Sequence, residues 1–340
     1  MTYRILWPHM RWPDKREVEI ASVRPDATAE FQENFEDVTE EQWAGCDALV
    51  SYLDVPAEYR AKLSRCKIFV SPKVGFDNID LRAWGELGIP VSNVPDYGTM
   101  EVADHAIALM LTLMKGTAYH SDRLRKDIVG CWQPALNPYG KRLSTCSFGV
   151  VGLGRIGTAA ALRAKAFGMR VAFYDPYLPN GSELAVGVER VHSLAALFAS
   201  SDVVSIHAPL SEETRKLIDA EVLSHSKEGL ILINTARGEI VDLDALHDAL
   251  KGGTVRAAGL DVLPLEPADP EHPLIKAFTS EEGWLHQRLL LTPHSAFFTP
   301  ESVRDMRFKG GELAVTYLRG GRLQNVVNGA FLLHDFQTEG

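Results

Sequence analysis

From residue 148 onward, short continuous apolar runs alternate with segments of helical spacing: Phe148–Val151, Arg170–Tyr174, Val203–Ile206, Leu230–Ile233, Ala257–Leu260 and Leu289–Leu291. Runs that are apolar at successive positions, not alternate ones, suit strands buried on both faces, the condition of a parallel sheet covered by helices. The first hundred residues repeat the rhythm on a smaller scale, with strands predicted at Arg4–Trp7, Ala48–Val50, Ile68–Val70 and Pro90–Asn93. Between the two series, Val102, Ala106, Leu109 and Leu113 fall near one face of a predicted helix, Met100–Met114. A second helical pattern, Glu301–Leu318, leads to Val326-Val327-Asn328 and is expected to return to the first domain. The pattern therefore predicts an α/β fold of two Rossmann-like domains, with doubly wound parallel sheets and an interdomain cleft. One domain would be discontinuous, 1–100 plus 296–340, and the other would span 101–295.

Polar residues punctuate the second series. Asp175, His207, Arg237, Asp261 and His294 each follow a different apolar run, and doubly wound sheets bind ligands beyond the carboxyl ends of their strands. The run Gly152-Leu153-Gly154-Arg155-Ile156-Gly157 joins the strand Phe148–Val151 to a helical segment, and Asp175 lies eighteen residues past Gly157, after a second strand. Strand, glycine turn, helix and downstream acid together form a dinucleotide fingerprint. The first glycine makes the turn, the second admits the pyrophosphate, the third lets helix and strand pack closely, and the helix start holds the anion. A carboxylate at 175 suits the ribose hydroxyls of NAD and repels the 2′-phosphate of NADP, and Pro176-Tyr177-Leu178 supplies no arginine for that phosphate. NAD is the expected cofactor; the plainer role for Asp175 is to cap the turn before Pro176.

Composition narrows the class. The 340 residues are 46% hydrophobic and 24% charged, ordinary for a globular enzyme. A formal charge of −10 argues against general affinity for nucleic acid or anionic membrane. Cys46, Cys66, Cys131 and Cys146 show no CxxC pair and no zinc spacing, so no metal site is expected, and four reduced thiols point to a cytoplasmic location. The start of the chain lacks a signal-peptide core, and no run reaches membrane-spanning length.

Reducing a 2-keto acid needs a group to hold the carboxylate, one to polarise the carbonyl and a proton donor for the developing alkoxide. Arg237, in Asn234-Thr235-Ala236-Arg237-Gly238, offers a planar fork for the first two tasks, and His294, in Thr292-Pro293-His294-Ser295, is the natural acid. Glu266 could pair with His294 and favour its protonated form. Each has a simpler reading: a surface ion pair, a hydrogen-bonded core histidine, an exposed loop glutamate. Asp261 either faces the nicotinamide or satisfies loop backbone.

Read together, Val151–Gly157, Asn234–Gly238, Gly259–Val262, Glu266-Pro267 and Thr292–His294 resemble the D-isomer-specific 2-hydroxyacid dehydrogenases over nearly the whole chain. The resemblance implies a substrate-binding domain at 1–100 plus 296–340 and an NAD-binding domain at 101–295. It implies Arg237 as substrate anchor, His294 as acid/base and Glu266 as its partner. The backbone amides of Val74 and Gly75 would help hold the carboxylate; for Gly75 the alternative is a turn needing positive φ. Cofactor contacts would come from Thr99, the glycine turn with Arg155 and Ile156, Asp175, His207, Thr235 and Asp261. A homodimer through the nucleotide domains, using the segment His120–Leu143, is also implied. Gly75–Asp80, Leu162–Gly168 and Phe173–Leu178 resemble the branch containing the C-terminal-binding protein corepressors, so an NAD-responsive binding platform with little activity is the alternative function. Where that branch carries a tryptophan after the histidine, this chain has Phe297 and Phe298, and the stretch Phe278–Arg288, with Trp284 and His286, is longer than the family's usual link. It is expected to shape the cleft, contact another subunit or form a tolerated surface insertion.

Overall fold

The computed structural model describes residues 2–12, 14–133 and 140–332. The chain divides into two compact units, Met1–Gly98 with Phe298–Gly340, and Thr99–Phe297.

The first unit is built on five parallel strands: β1 (Tyr3–Trp7), β2 (Ala27–Phe31), β3 (Ala48–Val50), β4 (Phe69–Ser71) and β5 (Val91–Asn93), in the order β2-β1-β3-β4-β5. The long helix Pro300–Gly320 packs on this sheet, where Ala314, Val315 and Leu318 join Ile5, Val50 and Val70 in one core. That helix is tied to the helix Glu17–Val23 by Arg307, whose fork donates to Glu19 (2.6 and 2.7 Å) and Asp14 (2.5 and 2.7 Å).

The second unit carries seven parallel strands: β6 (Ser147–Val151), β7 (Arg170–Tyr174), β8 (Glu189–Arg190), β9 (Val203–Ile206), β10 (Leu230–Asn234), β11 (Val255–Leu260) and β12 (Leu289–Leu291). Their order, β12-β11-β10-β9-β6-β7-β8, reverses direction at β6, which makes the β6/β9 boundary the switch point where such sheets take ligands. The unbroken apolar runs have the predicted cause. On β10, Ile231 and Ile233 face one core with Leu109, Met110 and Phe148, while Leu230 and Leu232 face the other with Phe198, Leu246 and Leu250. Both faces of the sheet are buried, so a polar residue within a strand needs a hydrogen-bond partner, as Ser205 has in His207.

The 278–288 stretch is folded against its own unit. Leu285 is buried, Trp284 sits edge-on to His247, and the Arg288 guanidinium donates to the carbonyls of Arg256, Trp284, Leu250 and Val255. Of the segment 120–143 expected at a subunit contact, residues 134–139 lie outside the described ones. Among the described residues no helix is long and apolar enough to cross a membrane.

Candidate active site

Strand register brings Asp175, His207 and Asp261 into line and leaves Arg237 and His294 two residues beyond the row. Val151 pairs with Tyr174 on β7 and Ile206 on β9, Ile206 with Asn234, Asn234 with Leu260, and Leu260 with Leu291. The next residue on each strand therefore falls in one row along the carboxyl edge, reading Asp175, Gly152, His207, Thr235, Asp261, Thr292 across the sheet. At about 4.8 Å per strand the row runs roughly 24 Å, enough for an extended dinucleotide.

The glycine turn has the shape such a ligand needs. Gly152 takes φ +87°, and a Cβ there would lie 2.8 Å from the Ala208 nitrogen. A Cβ on Gly157 would collide with the Gly152 carbonyl, whereas one on Gly154 would meet nothing within 4 Å. Gly154 is also the residue before the helix Arg155–Ala166, which no side chain caps, so that end presents its N–H groups, and the positive end of its dipole, to open space. Thr99 Oγ1, His207 Nδ1 and Thr235 Oγ1 are buried with no hydrogen-bond partner among the described residues. Orphaned buried polar atoms are costly, and their presence at three positions expected to line a dinucleotide fits a bound one that supplies the missing partners. His207 is half-buried, with Nε2 2.9 Å from Ser205 Oγ. Burial pushes its pKa down to about 4, so at neutral pH it offers hydrogen bonds and no charge.

Asp175 has two local partners. Its Oδ1 accepts from the Tyr177 amide (3.0 Å), the turn-capping role, and its Oδ2 accepts from the Leu153 amide (3.0 Å), which fixes the carboxylate against the glycine turn. Sequence reasoning missed the arginine beneath this loop. Arg190 donates to the carbonyls of Asp175, Leu178 and Pro179 and is paired with Glu183 at 2.9 Å. Its fork is committed to the loop.

At the other end of the row, His294 Nδ1 lies 2.6 Å from Glu266 Oε2, while Glu266 Oε1 accepts from the Leu263 amide at 3.1 Å. Glu266 is thus fixed through one oxygen and holds the imidazole with the other. This leaves Nε2, the far ring nitrogen, as the one able to exchange a proton. Arg237 follows β10 through a turn closed by Asn234, which accepts from the Ala236 amide and donates to the Arg237 carbonyl. Gly238 brings this turn to the Glu266 loop: a Cβ there would overlap the Leu263 carbonyl and the Pro264 nitrogen. Backbone contact therefore links the arginine turn to the loop carrying the glutamate that holds the histidine. Asp261 is 2% exposed, and its carboxylate takes the Thr292 hydroxyl (2.6 Å) and the Ser295 and Ala296 amides (2.9 Å each). These contacts satisfy the His294 loop. In the first unit, Val74 and Gly75 sit in a loop where the Asn93 side-chain Nδ2 donates to the Val74 carbonyl (2.7 Å). Gly75 is not among the glycines with positive φ, so the turn explanation for it does not apply.

A switch-point glycine turn with a carboxylate–imidazole pair farther along the same sheet edge is an arrangement that suits nucleotide-dependent oxidoreduction. Residues 107–296 match the D-isomer specific 2-hydroxyacid dehydrogenase NAD-binding domain. The chain is 39% identical over 293 residues to a glyoxylate reductase of Korarchaeum cryptofilum, covering 83% of each protein. It is 36% identical over 244 residues to C-terminal-binding protein 1 of Caenorhabditis elegans, 70% of this chain but 32% of that protein. Among solved structures it superposes on an NADPH-dependent glyoxylate/hydroxypyruvate reductase from Sinorhizobium meliloti, in complex with NADP and malonate, with TM-score 0.82, 27% identity and coverage of 98% and 100%. A D-lactate dehydrogenase from Aquifex aeolicus, complexed with NAD and lactic acid, gives TM-score 0.76, 29% identity and coverage of 93% and 96%. The chain belongs to the D-isomer specific 2-hydroxyacid dehydrogenase family, as its motifs suggested. Membership supports NAD(P)-dependent interconversion of 2-keto and 2-hydroxy acids as its class of chemistry.

Proposed function

We propose that the protein is an NAD-dependent D-2-hydroxyacid dehydrogenase acting on a small 2-keto acid, with His294 as general acid in reduction and general base in the reverse direction. The observation that carries this reading is the 2.6 Å contact between His294 Nδ1 and Glu266 Oε2, on the sheet edge that bears the glycine turn. When bound, NADH supplies the hydride. Arg237 holds the substrate carboxylate and carbonyl oxygen through its fork, with the Val74 and Gly75 amides assisting as the family resemblance implies. His294 Nε2 gives a proton to the carbonyl oxygen, and Glu266 stabilises the charged ring that must carry it. The relatives named for glyoxylate and D-lactate make small acids the first to test. In a panel of 2-keto acids followed by loss of NADH absorbance, at least one small acid should turn over; tight NADH binding with no turnover would favour the nucleotide-responsive platform.

The preference for NAD rests on Asp175 and on the committed fork of Arg190. Asp175→Ala should erode NAD-over-NADP discrimination by about tenfold or more, because the mutation removes both ribose acceptor and phosphate repulsion. An unchanged ratio of kcat/KM for the two cofactors would show that another residue reads the ribose.

A further inference from the structure

The helix Thr99–Lys115 carries a second histidine that the proposed chemistry does not use. His105 Nε2 lies 3.0 Å from Thr292 Oγ1, and Thr292 Oγ1 lies 2.6 Å from Asp261 Oδ1. Proton counting fixes the direction of both bonds. A carboxylate can only accept, so the single hydroxyl proton of Thr292 goes to Asp261, and the Thr292 oxygen must accept from His105. That places a proton on His105 Nε2. The direct separation from His105 Nε2 to Asp261 Oδ1 is 3.7 Å, so Thr292 is the link between them.

Asp261 in turn holds the His294 loop. Its side chain accepts from Ser295 and Ala296 at 2.9 Å, and its backbone carbonyl accepts from His294 at 2.8 Å. Three consecutive amides, 294 to 296, therefore end on one buried residue. They hold His294 at φ +50°, a left-handed conformation that residues other than glycine rarely adopt and that persists only where the surroundings enforce it.

We propose that His105 is a positioning residue for His294, acting through Thr292 and Asp261. Its Nε2–H pins the Thr292 hydroxyl, the hydroxyl pins one rotamer of the Asp261 carboxylate, and the carboxylate keeps the imidazole where Glu266 can hold it. The proposal rests on the reading of His294 as the proton donor.

The test compares His105→Phe, which keeps a ring and removes the donor, with His105→Gln, whose amide can replace Nε2–H. Hydrogen–deuterium exchange at amides 294–296 should quicken roughly tenfold in His105→Phe, the loss expected for one supporting hydrogen bond. Its kcat should fall about 10- to 100-fold with the KM for NADH nearly unchanged, the mark of a misplaced acid. His105→Gln should recover most of both losses. If His105→Phe does not fold, Thr292→Val cuts the same link at nearly constant volume and should give the same readouts. Unchanged exchange at 294–296, or faster exchange with unchanged kcat, overturns the proposal. Absence of turnover by the unmodified protein with every 2-keto acid overturns the reading beneath it, and the positioning role of His105 with it.

Discussion

Replacing His294 with alanine is expected to lower kcat about 10²- to 10⁴-fold, the range over which a positioned acid or base accelerates proton transfer, while NADH binding stays nearly unchanged. The second half follows from position. The residues fitted to the dinucleotide lie along the row from Asp175 to Thr235, and His294 lies beyond its far end, held by Glu266. Neither Glu266, fixed by the Leu263 amide, nor His105, engaged with Thr292, is placed to replace the lost proton donor. Glu266→Gln should be milder, about tenfold: its single amide oxygen can accept from Nδ1 only by turning the NH2 toward the Leu263 amide, and it no longer stabilises a charged ring. Stopped-flow turnover combined with fluorescence titration of NADH separates the two quantities. Turnover by His294→Ala within about twofold of the unmodified protein would remove His294 from the chemistry.

The strands and the polar edge were legible in the sequence for the same reason. A parallel strand covered on both faces is apolar along most of its length, so the polar residues that follow each run mark the neighbourhood of the sheet edge. The strand β2 (Ala-Thr-Ala-Glu-Phe) escaped because it lies at an edge of its sheet and carries Thr28 and Glu30; β8, only Glu189–Arg190, is too short to show any pattern. What the sequence could not show were partners brought in from other elements. Arg190 reaches the Asp175 loop from a strand 15 residues away, so inspection of Pro176-Tyr177-Leu178 could not reveal it. His105 meets Thr292 across 187 residues, and nothing local to either marks the contact. Nor could the sequence show that the Asp261 carboxylate receives the Ser295 and Ala296 amides. Gly238 did carry a signal, a glycine beside a candidate anchor, but its cause is the backbone of Leu263 and Pro264 on another loop.

The largest stability effect is expected in the first unit. Replacing Arg307 with methionine should destabilise it by about 3–5 kcal/mol, the cost of leaving a buried charge without its partner. Arg307 is 6% exposed in its side chain and Glu19 is 2% exposed, so the Glu19 carboxylate cannot swing into water, whereas Asp14 is half-exposed and can. For a unit of this size the loss corresponds to a melting shift on the order of 10 °C in its transition. Adding Glu19→Leu to Arg307→Met should recover part of the loss, since the double variant no longer buries an unpaired carboxylate. No recovery would mean that the helix contact, and not the stranded charge, sets the cost. The pH dependence has a definite sign. The hydrogen bond from Arg307 outweighs burial and holds the Asp14 carboxyl below its ordinary range. A depressed carboxyl contributes stability that is complete above its unfolded pKa, near 3.9, and is lost as pH falls through the lower folded value. Asp14's share of the stability gap between the unmodified protein and Arg307→Met should therefore be constant near neutrality and fall away below about pH 4. A gap that narrows instead on raising the pH from 5 to about 8 would mean that some group other than Asp14 dominates the coupling.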